Sequence, residues 1–337
     1  MTAPPPPIGV TFASFQALGL GAALDTAAQA AELGYESFWT AETVGQEAFA
    51  TLAAVGARVP TLGLGTGVLA LQLRTPMLAA MGAATLQDVV PDRDVLLGVG
   101  ISSPVVVGRW HGATYGDRPL AQAREYLELT RACLSGEPVD HEGEFYRCSR
   151  FRLGVRLGDR RPKLVLGALN ERMLALAGEL ADGVLLNYLP ASAVPWCIEQ
   201  VRAGERKAGR PTGSCTVYAY VHVGACDRDA ALGAARKDLF SYAVVPAYAR
   251  AFERAGFADE IEALRTAHAA GDRAGAVAAV SDRMADAIDT CGDAATVAAS
   301  VQAYRDAGVD VPVVMPLPWG EDRRAVLADT LRAAVGA

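Results

Sequence analysis

The sequence is short of lysine. Of its 31 basic side chains only Lys163, Lys207 and Lys237 are lysines, and 38 acidic ones leave a net charge of −7. An acidic chain without a basic cluster excludes nucleic acid or an anionic membrane surface as its main partner. Histidines are few, and His111, His141, His222 and His268 show no HxH, HxxxH or HExxH spacing, so no metal site is expected. Cys133, Cys148, Cys197, Cys215, Cys226 and Cys291 are scattered, with no CxxC motif. That excludes a zinc knuckle or a disulfide scaffold and predicts reduced thiols in a cytoplasmic protein. No apolar run reaches the ~18 residues of a membrane span. The opening MTAPPPPIGV has neither the basic nor the apolar region of a secretory signal, and Pro4 to Pro7 predict a stiff lead-in. A GxSxG elbow is missing as well, because Ser102 and Ser103 lie in a glycine-rich loop without a neighbouring histidine.

What is present is apolar material in a repeating order. Hydrophobic residues make up 51% of the 337, ample for a large core. Strand-like runs at Ile8–Ala13, Glu36–Ala41, Thr61–Gly67, Asp94–Gly100, Pro162–Ala168, Gly183–Asn187, Thr216–Gly224 and Val311–Pro316 alternate with amphipathic stretches. Punctuation supports the reading: Gly34 stands where a helix over Gly21–Leu33 would end, and Thr75 precedes Pro76 as a cap precedes a first helical turn. Eight β-α alternations with short apolar strands predict a single closed (β/α)8 TIM barrel over residues 1–337. Three stretches exceed the minimal unit. Ile101–Arg118 is a long loop after strand four, Ser135–Gly158 a hairpin insertion, and about 227–293 a helical insertion after strand seven. Loops that follow strands build the ligand face of a barrel, which makes the first and third lid candidates.

The chemistry must then lie at the strand ends. Glu42 follows strand two, Thr66-Gly67-Val68 follow strand three, Gly100 to Ser103 follow strand four, and Gly167-Ala168-Leu169-Asn170 join strand five to a helix. Small residues at such junctions let a flat ligand approach the backbone. Free N–H groups over Ala168 to Asn170 would hold a phosphate without a lysine. Glu42 either hydrogen-bonds a ring at the pocket edge or is an ordinary solvated loop acid. Gly19-Leu-Gly21 and Gly98-Val-Gly100 each lack the third glycine of a dinucleotide fingerprint and read as turn glycines. Phe38, Trp39 and Trp110 read as core or rim residues.

With GYESFWTAETVG, the run LGLGTGVLALQLRTPMLAAMGAATLQDVVPDRDVLLGVG, GRWHGATYGDRPLAQAREYLELTRACLSGE with EGEFYR, GALNERMLALAGELADGVLLN and DAATVAASVQAYRDAGVDVPVV, the chain resembles the luciferase-like monooxygenase superfamily in its coenzyme F420-dependent oxidoreductase branch. The resemblance covers roughly residues 8–335. It implies a barrel that binds a flavin or deazaflavin at the C-terminal strand ends, with a non-prolyl cis peptide at Gly67–Val68. It also implies a ring contact at Glu42, phosphate-binding amides at Ala168, Leu169 and Asn170, and a homodimer through the helices at 46–58 and 76–89. Sugar-phosphate dehydrogenases of the family carry a histidine where this chain has Thr43 and a glutamate where it has Ser103, so their acid/base pair is missing.

The activity expected is hydride transfer between F420 and a C=N or C=C bond of a small organic substrate. Glu42 is the first candidate proton donor and His111 the second; Thr43 and Ser103 orient ring or substrate. One alternative is an FMN-dependent monooxygenase using O2, and another is a non-catalytic cofactor-binding barrel. The acidic tail of F420 calls for cations along its exit, for which Arg147, Arg150, Arg152, Arg156, Arg160 and Arg161 are available near strand five.

Overall fold

In the computed structural model, which describes residues 6–337, the eight apolar runs become eight parallel strands that close on themselves. They are β1 (Gly9–Thr11), β2 (Ser37–Thr40), β3 (Gly63–Thr66), β4 (Val95–Gly100), β5 (Lys163–Gly167), β6 (Gly183–Leu186), β7 (Thr216–Ala225) and β8 (Val311–Pro316). Each pairs with the next, and β8 pairs with β1. The architecture is the expected TIM barrel. Pro4 and Pro5 of the proline lead-in lie outside the described residues.

Helices α1 (Gly19–Glu32), α2 (Ala48–Arg58), α3 (Pro76–Val89), α4 (Pro119–Cys133), α5 (Glu171–Leu180) and α6 (Val194–Lys207) surround the strands. Local signals set their ends. Gly34 takes φ +84° after α1, and the Thr75 hydroxyl accepts from Leu78 N–H with Pro76 in the first turn of α3. Inside the barrel, Trp39, Leu96, Val165, Leu185, Tyr218, Tyr220, Val313 and Met315 form one packed cluster. Trp39 fits because Gly65 has no side chain: a Cβ there would lie 2.3 Å from the indole ring.

The insertion after β7 holds helices α7 (Arg228–Ala243), α8 (Pro246–Phe252), α9 (Ala258–Ala269), α10 (Arg273–Ala278) and α11 (Asp282–Ile288). They share an apolar cluster that includes Leu239, Phe252, Ile261 and Met284 and reaches Tyr188 of the barrel. The segment read as wholly helical ends in a short strand, Asp289–Gly292, parallel to His222–Ala225. The reason lies in β7. Its ten residues overshoot β6, whose pairing ends at Ala219, leaving an unpaired backbone edge that a neighbouring extended segment satisfies. Helices α12 (Ala294–Asp306) and α13 (Arg323–Ala334) complete the ring, and α12 is capped by Asp293, whose carboxylate accepts from Thr296 N–H. No helix among the described residues is long and apolar enough to cross a membrane.

Candidate active site

The C-terminal mouth is built around one irregularity. Gly65 pairs with Leu96, and Leu69 with Val99, so four steps along one strand match three along the other. The extra residue makes a bulge, and within it the Gly67–Val68 peptide is cis, as the resemblance implied. Glycine is required at its base: a Cβ on Gly67 would lie 1.9 Å from Tyr220 Oη, and one on Gly98 1.9 Å from the Thr66 carbonyl oxygen. Tyr220 Oη donates to the Gly67 carbonyl at 2.8 Å and lies 3.3 Å from the Thr11 hydroxyl. Val68 stays half-buried on top of the barrel's inner cluster, flanked by Gly100 and Gly167, and forms a smooth floor. Thr66, expected with Gly67 and Val68 on the cofactor-binding face, needs correcting. Its buried hydroxyl donates to the Gly98 carbonyl and accepts from Gly98 N–H, both at 2.8 Å, so it ties β3 to β4 beneath the floor.

Glu42 sits at the rim, and its surroundings correct its expected role as acid. Arg74 Nε and Nη2 donate to its two oxygens at 3.2 and 2.9 Å, and Ala48 N–H donates at 3.1 Å. Burial pushes this carboxyl up, but the Arg74 and Ala48 hydrogen bonds and the guanidinium charge outweigh it and hold it below the usual range. A carboxylate so held is an anchor, not a proton donor. His111, on the exposed lid turn after β4, has Nε2 2.6 Å from the Thr43 carbonyl. It latches the lid to the loop after β2, and its Nε2 is engaged there. Ser103 Oγ accepts from Val106 N–H at 3.2 Å and starts the lid's helical turn Val105–Trp110.

At the fifth strand end, Ala168 N–H already donates to the Leu185 carbonyl at 3.2 Å. Its amide is therefore spent on the barrel, a third correction. Leu169 and Asn170 N–H have no partner among the described residues, and no side chain caps the start of α5. Arg254, which the sequence did not single out, reaches this loop from the insertion. It stacks 3.9 Å over the Trp196 ring and donates to the Leu169 carbonyl at 2.9 Å. Two of the arginines expected along a tail's exit, Arg160 and Arg161, lie elsewhere. Arg160 pairs with Asp94 at the start of β4, and Arg161 donates to the Leu134 carbonyl. A wide cleft at that N-terminal end, lined by Arg131, Arg156, Arg160 and Lys163, sits on the face of a barrel where side chains serve stability and not ligands.

Above β6 and β7 lies a buried polar cluster that the sequence did not reveal. His222 Nδ1 is 2.9 Å from Asp289 Oδ1, and Nε2 is 2.8 Å from Asn187 Oδ1. Tyr188 adopts φ +51°, rare for a side chain with Cβ, and its ring lies 4.2 Å from that of His222. Its hydroxyl donates to Asp238 at 2.8 Å. Atoms of His222, Asp238 and Asp289 lie within 4.8 Å of one another. The alternation Tyr218, Tyr220, His222 on the inner face of β7 was the available signal; its partners at 187, 238 and 289 carried none.

The family model described as luciferase-like monooxygenase matches residues 9–311. The 5,10-methylenetetrahydromethanopterin reductase of Archaeoglobus fulgidus is 29% identical over 302 residues, 88% of this chain and 89% of that one. A putative coenzyme F420-dependent oxidoreductase of Mycobacterium tuberculosis is 29% identical over 310 residues, 85% of this chain and 88% of the other. Among solved structures, the coenzyme F420-dependent tetrahydromethanopterin reductase of Methanopyrus kandleri superposes with a TM-score of 0.81 at 23% identity, covering 98% of both chains.

Proposed function

The chain belongs to the luciferase-like monooxygenase family and is an enzyme, and from that premise we propose that it is an F420-dependent oxidoreductase acting on a C=N or C=C bond of a small organic substrate. The observation that carries the reading is the mouth itself. A glycine-lined floor at Gly67, Gly100 and Gly167 beside Val68 suits a planar ring, and the unpartnered amides of Leu169 and Asn170 suit a phosphate. Arg254 stands by the same loop, where an acidic tail would leave. Two relatives that cover most of the chain are named for methylenetetrahydromethanopterin reduction and for F420 dependence, which favours F420 over FMN.

When bound, the deazaflavin supplies or accepts the hydride. The residues of this chain do the rest: the floor fixes the plane, Leu169 and Asn170 hold the phosphate, and the Glu42–Arg74 pair supports the rim. Thr43 and His111 keep the lid loop against the mouth, and Ser103 shapes it. Exposed Leu78 and Met81 on α3, each nearly half accessible, support a homodimer across α2 and α3, and the free cysteines suit a cytoplasmic location. Titration with F420 and with FMN, each followed by absorbance, tests the assignment. Oxidation of reduced F420 by a cyclic imine or an enone, unaffected by O2, is the expected result. Tight FMN binding with O2-dependent oxidation would replace it with a monooxygenase, and tight binding without turnover with a carrier barrel.

A further inference from the structure

The hydrogen bonds around His222 fix a count of protons. Tyr188 N–H donates to Asn187 Oδ1 at 2.9 Å, which orients the amide, so its oxygen also meets His222 Nε2. Nε2 therefore carries a hydrogen. On the other side Nδ1 lies 2.9 Å from Asp289 Oδ1, a contact that would be repulsive between a bare ring nitrogen and a carboxylate. A proton lies between them, and the pair as a whole is neutral. Both side chains are at most 1% exposed, and Asp289 Oδ2 has no partner among the described residues, an arrangement a carboxylic acid tolerates far better than a carboxylate. Burial also pushes Asp289 well above the carboxylate range and His222 down to about 4, so the shared proton rests on Asp289. The other titratable groups facing the pair are Asp238 and Tyr242 of α7, Tyr188 after β6, Cys291 beside Asp289, and Tyr304 of α12.

Position gives this proton a use. Tyr220 and His222 alternate on the inner face of β7, and Tyr220 bonds the Gly67 carbonyl under the floor. His222 is thus one layer nearer the mouth, with its Nε2 against half-buried Asn187. Glu42 is tied to Arg74, and His111 Nε2 to Thr43, so neither stands ready as donor.

We propose, on the functional reading above, that His222 is the proton donor of the reaction and that Asp289 is the positioning residue that reloads it. As hydride from the reduced deazaflavin adds to the carbon of a C=N bond, the π pair moves onto nitrogen. That nitrogen takes the Nε2 proton, displacing Asn187 as acceptor. Nδ1 receives the proton of Asp289, so the imidazole stays neutral with its tautomer switched and Asp289 ends as a carboxylate. Half-buried Asp238, pushed up to about 6 chiefly by burial, returns a proton from solvent.

Asp289→Asn tests this, because its amide can still donate to Nδ1 but has no proton to pass on. In the protein without cofactor, proton NMR at pH 7 should show a far-downfield resonance between Nδ1 and Asp289 that disappears in Asp289→Asn and His222→Gln. In single-turnover oxidation of reduced F420 by a cyclic imine, both variants should be slower by about 10²-fold. The wild-type solvent deuterium effect should change, while F420 affinity and melting temperature stay near wild type. Variant rates within about threefold of wild type, or a wild-type pair without the downfield proton, overturn the relay alone. Stoichiometric metal in the purified protein, lost in His222→Gln, also overturns it, since a metal would then occupy the proton's place. A wild-type enzyme that turns over no imine or enone removes the functional reading and the relay together.

Discussion

Replacing Glu42 with glutamine separates an anchor from an acid. The carboxylate accepts two hydrogen bonds from Arg74 and one from Ala48, with side-chain exposures of 15% for Glu42 and 17% for Arg74. Charge-assisted hydrogen bonds contribute about 1.5–3 kcal/mol each. Glutamine keeps one acceptor, Arg74 keeps its contact with Glu47, and the rim is partly solvated, so the net loss is about 2 kcal/mol. With an unfolding entropy of roughly 0.7 kcal/mol/K for 337 residues, the melting temperature of Glu42→Gln should fall by ~3 °C at pH 7. The sign with pH follows from the depressed carboxyl. Its contribution is full above the ordinary glutamate value of 4.5 and is lost as pH falls through the lower folded value. Melts of both proteins from pH 3 to 8 should therefore converge at the acid end. Turnover should drop by less than tenfold, and its solvent deuterium effect should persist. Unchanged melting together with a loss of ~10²-fold or more in turnover would refute the anchor and restore Glu42 as the proton donor.

Leu169→Pro removes one of the two unpartnered amides. It should weaken F420 binding about tenfold by fluorescence titration, the worth of a single hydrogen bond to a charged group; equal affinity would place the phosphate elsewhere. Gly98→Ala forces a Cβ against the Thr66 carbonyl and must part β3 from β4, at a cost of about 3 kcal/mol or a melting shift of ~4 °C; a wild-type melt would show that the floor yields freely. Met81→Glu should turn a dimer into a monomer in light scattering without altering the circular dichroism spectrum, and a persistent dimer would rule out the α3 surface.

The barrel was legible because parallel strands buried on both faces read as apolar runs, and glycine, proline and threonine mark their ends. The bulge was legible in outline, since a Thr-Gly-Val step at a strand end has few other uses. The roles of individual side chains were not. Arg74 lies 32 residues from Glu42, and nothing in either local sequence announces that they meet. Ala168 looked free because its strand partner, Leu185, becomes a neighbour only when β5 and β6 align. The His222 cluster draws on β7, the loop after β6 and both ends of the insertion, so only the folded chain assembles it. The strand at Asp289–Gly292 escaped notice because it exists to satisfy the overshooting edge of β7 and has no apolar alternation of its own.

That overshoot has a bearing on traffic. On the far side, the insertion is stitched to the barrel by a continuous backbone ladder from His222 to Ala225, which a ligand would have to unzip to pass. Across the opening, one hydrogen bond among the described residues, His111 to Thr43, fastens the loop after β4 to the loop after β2. The two sides of the doorway thus differ in what it takes to part them, and entering molecules should come in over Thr43 and Trp110. Crowding that approach would slow arrival and departure while leaving the chemical step untouched.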